Sequence, residues 1–190
     1  MRISCLLLIA LLIASCQPVS PVAEDPIDHA LSAWESSVRD SAPDFDRTTM
    51  TLVNTRAIDA MPRGTVTPGS PLEEVTQRAF ASSVSPDGTQ TLVLLAGEEP
   101  DSEVLLIAQN GEVERVLYCG TPCRWTHVAW VDDHRFVVAG LEEAFTETGE
   151  SPCTEGTPLC VQPVYYLFSR GDETVERFAG TPVSLQELPR

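Results

Sequence analysis

Six cysteines are the residues of this chain best equipped for chemistry. Cys5 and Cys16 lie in an apolar N-terminal run, while Cys119, Cys123, Cys153 and Cys160 lie in the body of the chain. Four body cysteines behind an export signal read as two disulfides. Three pairings exist. The turn-rich stretches Cys-Gly-Thr-Pro-Cys and Cys-Thr-Glu-Gly-Thr-Pro-Leu-Cys favour Cys119 with Cys123 and Cys153 with Cys160. A crossed pairing would instead tie the segment 142–159 to the connection 118–124. Zinc is the competing chemistry, but only the first pair has the usual ligand spacing. Cys-x₃-Cys also differs from the Cys-x₂-Cys of thioredoxin-like redox sites.

Other reactive groups are sparse. His127, Asp132, Asp133 and His134 are close enough in sequence to suggest a metal, yet the last three occupy a turn, where polar residues are expected anyway. Asp44 and Asp46 lack the further oxygens and the glycine of a calcium loop. Glu98-Glu99 and Glu142-Glu143 read as solvated turns, and Arg170-Gly171-Asp172 as a hairpin tip. There is no Gly-x-Ser-x-Gly elbow, phosphate-binding glycine loop or His-Glu-x-x-His. The expectation is a non-enzymatic protein with no catalytic residue, metal or cofactor. Trp125, Trp130, Tyr165 and Tyr166 flank the cysteine-rich segment, with Phe168 nearby. They are candidates for the rim of a binding patch or for the core of a sheet. The segment 153–160 is the candidate working loop.

Positioning these groups begins with the first sixteen residues. Arg2, an apolar run and small residues before Cys16 have the layout of a secretory signal. The apolar stretch 3–15 is shorter than the roughly 20 residues of a membrane span, so it is expected to be cleaved. Ile13-Ala14-Ser15-Cys16 resembles a bacterial lipobox. The resemblance implies that Cys16 becomes the lipidated first residue, and two or more acyl chains would hold it durably in a bilayer. By the same analogy, Gln17 at the next position points to the outer membrane, on its periplasmic or surface face.

Without residues 1–15, 11 arginines face 28 acidic residues, a balance of −17 (11 minus 28), and there is no lysine. Such a surface argues against nucleic acid and against independent adhesion to anionic lipid. Membrane contact through the lipid and an envelope protein or glycan partner remain.

The chain divides into a signal (1–15), lipidated Cys16 and tether (16–24), a helix (25–41) and a single β domain (42–190). Asp25 can cap the helix, Pro26 suits its first position, and Ile27, Leu31, Trp34 and Val38 form one apolar stripe. Residues 48–54 are β-prone, and 56–71 read as a loop because of Pro62, Gly64, Pro68, Gly69 and Pro71. Strand patterns follow at 80–84, 91–95, 103–108 and 112–118, the last polar enough for an outer strand. Ser85-Pro86-Asp87-Gly88 and Asn110-Gly111 mark turns. The same order recurs at 124–131, 136–139, 164–169 and 173–178.

With its Ser-Pro-Asp-Gly turn and Asn-Gly hairpin, the segment 80–117 resembles a WD-like β-propeller repeat, as in periplasmic Tol-system proteins. The second copy, with Ala129-Trp130 before Asp132, is similar. A propeller needs four or more blades, and two are present. The fold class expected is therefore mainly β: an antiparallel meander of two blade-like four-strand units, forming a sheet or sandwich and not a closed propeller, with one N-terminal amphipathic helix. The function expected is a lipid-anchored envelope lipoprotein with a protein- or ligand-binding β domain. The alternatives are a structural or protective acidic envelope protein and a cryptic cell-wall hydrolase.

Overall fold

A computed structural model describes residues 25–96, 101–120, 123–145, 149–153 and 159–185. The signal, Cys16, the tether, Glu98-Glu99 and residues 154–158 of the candidate loop lie outside the described residues.

The first element is α1 (Pro26–Ser41). It forms where expected because its N-terminal donors are met: the Asp25 carboxylate accepts from Ile27 N (2.9 Å), and Pro26 needs no partner for a missing N–H. Its stripe of Leu31, Trp34 and Val38 is at most 2% exposed.

Two four-strand meanders follow. The first comprises β3 (Ala81–Val84), β4 (Gln90–Ala96), β5 (Ser102–Ala108) and β6 (Glu112–Cys119). The second comprises β7 (Cys123–Trp130), β8 (Arg135–Glu143), β9 (Leu159–Ser169) and β10 (Thr174–Ala179). Each receives one more strand from upstream. β1 (Thr51–Ala57) lines up against β10, and β2 (Met61–Thr65) against β6. The strand orders are β1-β10-β9-β8-β7, with β11 (Val183–Leu185) also paired to β9, and β2-β6-β5-β4-β3. All the pairings are antiparallel.

The two sheets pack face to face around Leu92, Leu94, Val104, Trp125, Phe136 and Phe168. Fully burying a side chain of this kind stabilises by roughly 1.5–3 kcal/mol. Edge strands β3 and β7 are stitched together: Trp130 Nε1 donates to Ser83 O (3.1 Å) and Trp130 N to the Ser83 hydroxyl (3.3 Å). α1 covers the outer face of the second sheet, where Trp34 meets Phe45 and Tyr165 edge-on at 5.5 and 6.5 Å. It therefore occupies the face on which a third sheet would have to stack. The short helix α2 (Pro71–Gln77) leans on the outer face of the first sheet. The mainly β class, the two four-strand units and the sandwich match expectation.

Three local readings are corrected. Residues 61–65 form an edge strand and not a loop, because an edge tolerates Pro62 and the register shift between Pro62 and Gly64. Pro71–Gln77 is helical, closed by a capping box in which Ser70 Oγ accepts from Glu73 N (3.1 Å) and Glu73 accepts from Gly69 N. β6 is an interior strand, since β2 lies outside it.

Candidate functional site

Strand alternation decides the fate of the aromatic candidates. Tyr165 and Tyr166 are adjacent on β9, so they leave opposite faces of the sheet. Tyr165 is buried beneath α1 and stacks on Phe178 at 4.6 Å. Tyr166 faces the other sheet, edge-on to Trp125 at 5.3 Å, and its hydroxyl donates to Glu142 Oε1 (3.1 Å). Burial pushes both phenols up to about 12; the Glu142 charge adds to this for Tyr166. Trp125 is 2% exposed, and Trp130 is spent on Ser83. These four side chains fill two separate cores and do not rim one patch.

The polar candidates are also occupied by structure. Burial holds His127 below its ordinary value, and its Nε2 lies 2.7 Å from Ala30 O of α1. Asp132 closes its turn by accepting from His134 N (2.9 Å), Arg135 N (2.8 Å) and Arg135 Nε (2.7 Å). Asp133 adds no ligand to it. Among the described residues, no three His, Cys, Asp or Glu side chains stand close enough to hold a metal. Asp46 caps the 3₁₀ turn Arg47–Thr49. Glu142 and Glu143 end strand β8 and do not form a solvated turn, because β9 pairs beside them, and Glu142 is held by Arg177. Cys119 lies beside Cys123 and Cys153 beside Cys160, with Cα separations of 5.8 and 5.7 Å, within the span of a disulfide.

The meanders give the sandwich two distinct ends. One end carries both cysteine pairs. The other carries the turns 85–89, 109–111, 131–134 and 170–173, together with the link Ile58-Asp59-Ala60 that joins β1 to β2 and so crosses between the sheets. Beneath this link is a cavity of about 350 Å³. Its floor is Leu106, Val116 and Phe136, which belong to the inter-sheet core, and its wall is Ala57, Ile58 and Ala60. Glu114, Arg170 and Glu173 line it with charge.

The turn holding two of these charges is pinned from both sides. Arg170 N donates to His134 O (2.9 Å), and Ile58 N donates to Glu173 O (2.9 Å). Glu173 takes a left-handed φ of 52°, which a non-glycine residue adopts only under the constraint of its surroundings. Among the described residues, the side chains of Glu114, Arg170 and Glu173 make no hydrogen bond or ion pair, although Glu114 and Arg170 are half-buried.

The sequence gives little warning of this cavity. Its lining comes from the β1–β2 link, β5, β6, β8 and the 170–173 turn, which are distant in the chain. The one signal within reach is the hairpin tip Arg170-Gly171-Asp172, which reads as a turn and nothing more. Compared with known proteins, the chain matches no family model, no curated protein and no solved structure.

Proposed function

We propose that this chain is a lipid-anchored envelope lipoprotein whose sandwich is a non-enzymatic binding domain, with the cavity between the sheets as its binding site. The observation that carries the binding half is a cavity lined by half-buried Glu114 and Arg170, whose side chains have no partner among the described residues, with exposed Glu173 at its edge. Half-buried charges give up part of their hydration, which the opposite charges of a ligand would replace. The anchor half rests on Ile13-Ala14-Ser15-Cys16 after an apolar run, with the first helix beginning at Pro26, soon after the tether. A cavity of this size belongs to the lower end of small-molecule pockets, so the site favours a small ligand over a protein or glycan partner.

Two measurements test this. Metabolic labelling with a fatty-acid analogue should label the wild type and not Cys16→Ser; a wild type that takes up no label refutes the anchor. For the site, full-length protein is heated with fractions of its own cell's envelope and small-molecule extract. An active fraction should raise the melting temperature of the wild type and leave Ala60→Trp, whose indole fills the cavity mouth, unmoved. Equal shifts in the two proteins, or no shift in either, would leave a protective acidic protein as the better reading; its support is the net charge alone.

A further inference from the structure

We infer that the inter-sheet cavity takes a small zwitterion, of the class of a free α-amino acid. The inference rests on the cavity being a binding site, and it names the ligand by the charges the cavity presents. Arg170 offers a planar fork of donors that matches a carboxylate. Glu114 and Glu173 offer acceptors for an ammonium group. Leu106, Val116 and Phe136, between 1% and 6% exposed, close the floor and leave little apolar surface bare, so the charges dominate the lining.

Simpler ligands leave something unmatched. An organic cation would meet the two glutamates but lie against the Arg170 guanidinium. An organic anion would meet Arg170 but face two carboxylates. A neutral apolar molecule would leave all three charges unpaired. An α-amino acid carries its ammonium and carboxylate on one carbon, so one small molecule meets both signs of charge. The turn is ready to receive it. Its backbone is fixed by His134 O and Ile58 N, so little ordering remains to be done on binding.

The test is calorimetric titration of full-length protein with L-leucine and L-phenylalanine as probes. N-acetyl-L-leucine removes the ammonium charge, L-leucinamide removes the carboxylate, and 3-methylbutylamine keeps only the cation and the apolar body. Saturable binding of at least one free amino acid is expected, weakened about tenfold or more by either blocked group, as loss of a charged hydrogen bond implies. Arg170→Gln should weaken leucine to the level of leucinamide, and Glu114→Gln to that of the acetylated form, with circular dichroism confirming that both variants are folded.

The inference is overturned if neither amino acid binds, or if the bare amine binds as tightly as leucine and Arg170→Gln changes nothing. In those cases the cavity reading stands or falls separately, on whether Ala60→Trp abolishes the response to extract. Leucine binding that persists undiminished in Ala60→Trp, Arg170→Gln and Glu114→Gln defeats both.

Discussion

Gly140 sits opposite Trp125 where β7 and β8 pair, next to the register shift between Trp125 and His127. A Cβ at this position would stand 2.1 Å from Arg124 O, 2.8 Å from Trp125 Cα and 2.9 Å from Trp125 Cε3. Carbon atoms in contact prefer about 3.5–4.0 Å, and two of the three obstructing atoms are backbone. Gly140→Ala can therefore be accommodated only by opening the β7–β8 ladder and displacing the Trp125 ring from the inter-sheet core. Losing about two ladder hydrogen bonds at about 1 kcal/mol each, with overpacking of about 1–3 kcal/mol, gives a destabilisation of about 3–5 kcal/mol. At roughly 2–4 °C per kcal/mol for a domain of this size, the melting temperature should fall by about 6–20 °C. Urea unfolding followed by tryptophan fluorescence and by far-ultraviolet circular dichroism measures the change in stability. Gly171→Ala is the control: nothing lies within 4 Å of its added Cβ, so it should stay within about 0.5 kcal/mol of the parent. A Gly140→Ala variant as stable as that control would refute the close-approach reasoning.

Acidification should weaken the docking of α1. His127 is held below its ordinary value of about 6.5 by burial against α1, so the unfolded chain binds more protons in the window between the folded value and about 6.5. Its contribution is present in full above about 6.5 and is lost as pH falls towards the folded value. The urea midpoint should therefore drop below pH 6.5 more steeply in the parent than in His127→Gln; parallel profiles would count against this account. Reduction of the Cys153–Cys160 pair, which closes a short loop by a sequence separation of 7, should cost about 2 kcal/mol by chain entropy. Urea unfolding with and without a phosphine reductant reads this, with Cys119→Ser/Cys123→Ser as the background so that one pair is tested alone. An unchanged midpoint would mean that the bridge adds nothing to stability.

What is legible in the sequence is local. Asp25, Pro26 and the stripe from Ile27 to Val38 carry all the instructions for α1, and the helix forms with those bounds and that buried face. Ser85-Pro86-Asp87-Gly88 states its own turn. Gly88 takes a φ of 73°, and Asp87 accepts from the Ser85 hydroxyl (2.6 Å) and Thr89 N (3.0 Å). These bonds, the Ser85 one first, hold its carboxyl below the usual range. The eight meander strands follow from patterns of the same kind.

Where the signal is non-local, the sequence is silent. Residues 61–65 are a strand because β6 is beside them, and nothing in Met-Pro-Arg-Gly-Thr announces a partner so far along the chain. The helix at Pro71–Gln77 is readable in principle, since Ser70-Pro71-Leu72-Glu73 is a capping box, but the surrounding prolines and glycines mask it as a loop. Tyr165 and Tyr166 are separable by period-two alternation alone, which sends neighbours on a strand to opposite faces. The candidate site is not readable at all, because floor residues from both sheets, Glu114 of β6 and the charges of the 170–173 turn become neighbours only after the sheets have packed.

The placement of β1 and β2 sets an order of events. Each meander is assembled from hairpins between consecutive strands, contacts that form early and quickly. β1 and β2 precede both meanders in the chain, yet each is completed only from far downstream: Thr51 lies opposite Ala179, and Met61 opposite Arg115. In a chain that emerges from its N-terminus, these two strands must wait unpaired until their partners arrive, β2 first and β1 almost last. The cavity wall at Ala57, Ile58 and Ala60 is built on the link between them, so it takes shape only once β10 is in place. A chain cut before β10 would keep the first meander, lack the last strand of the second, and leave β1 without its partner and the cavity wall without its support.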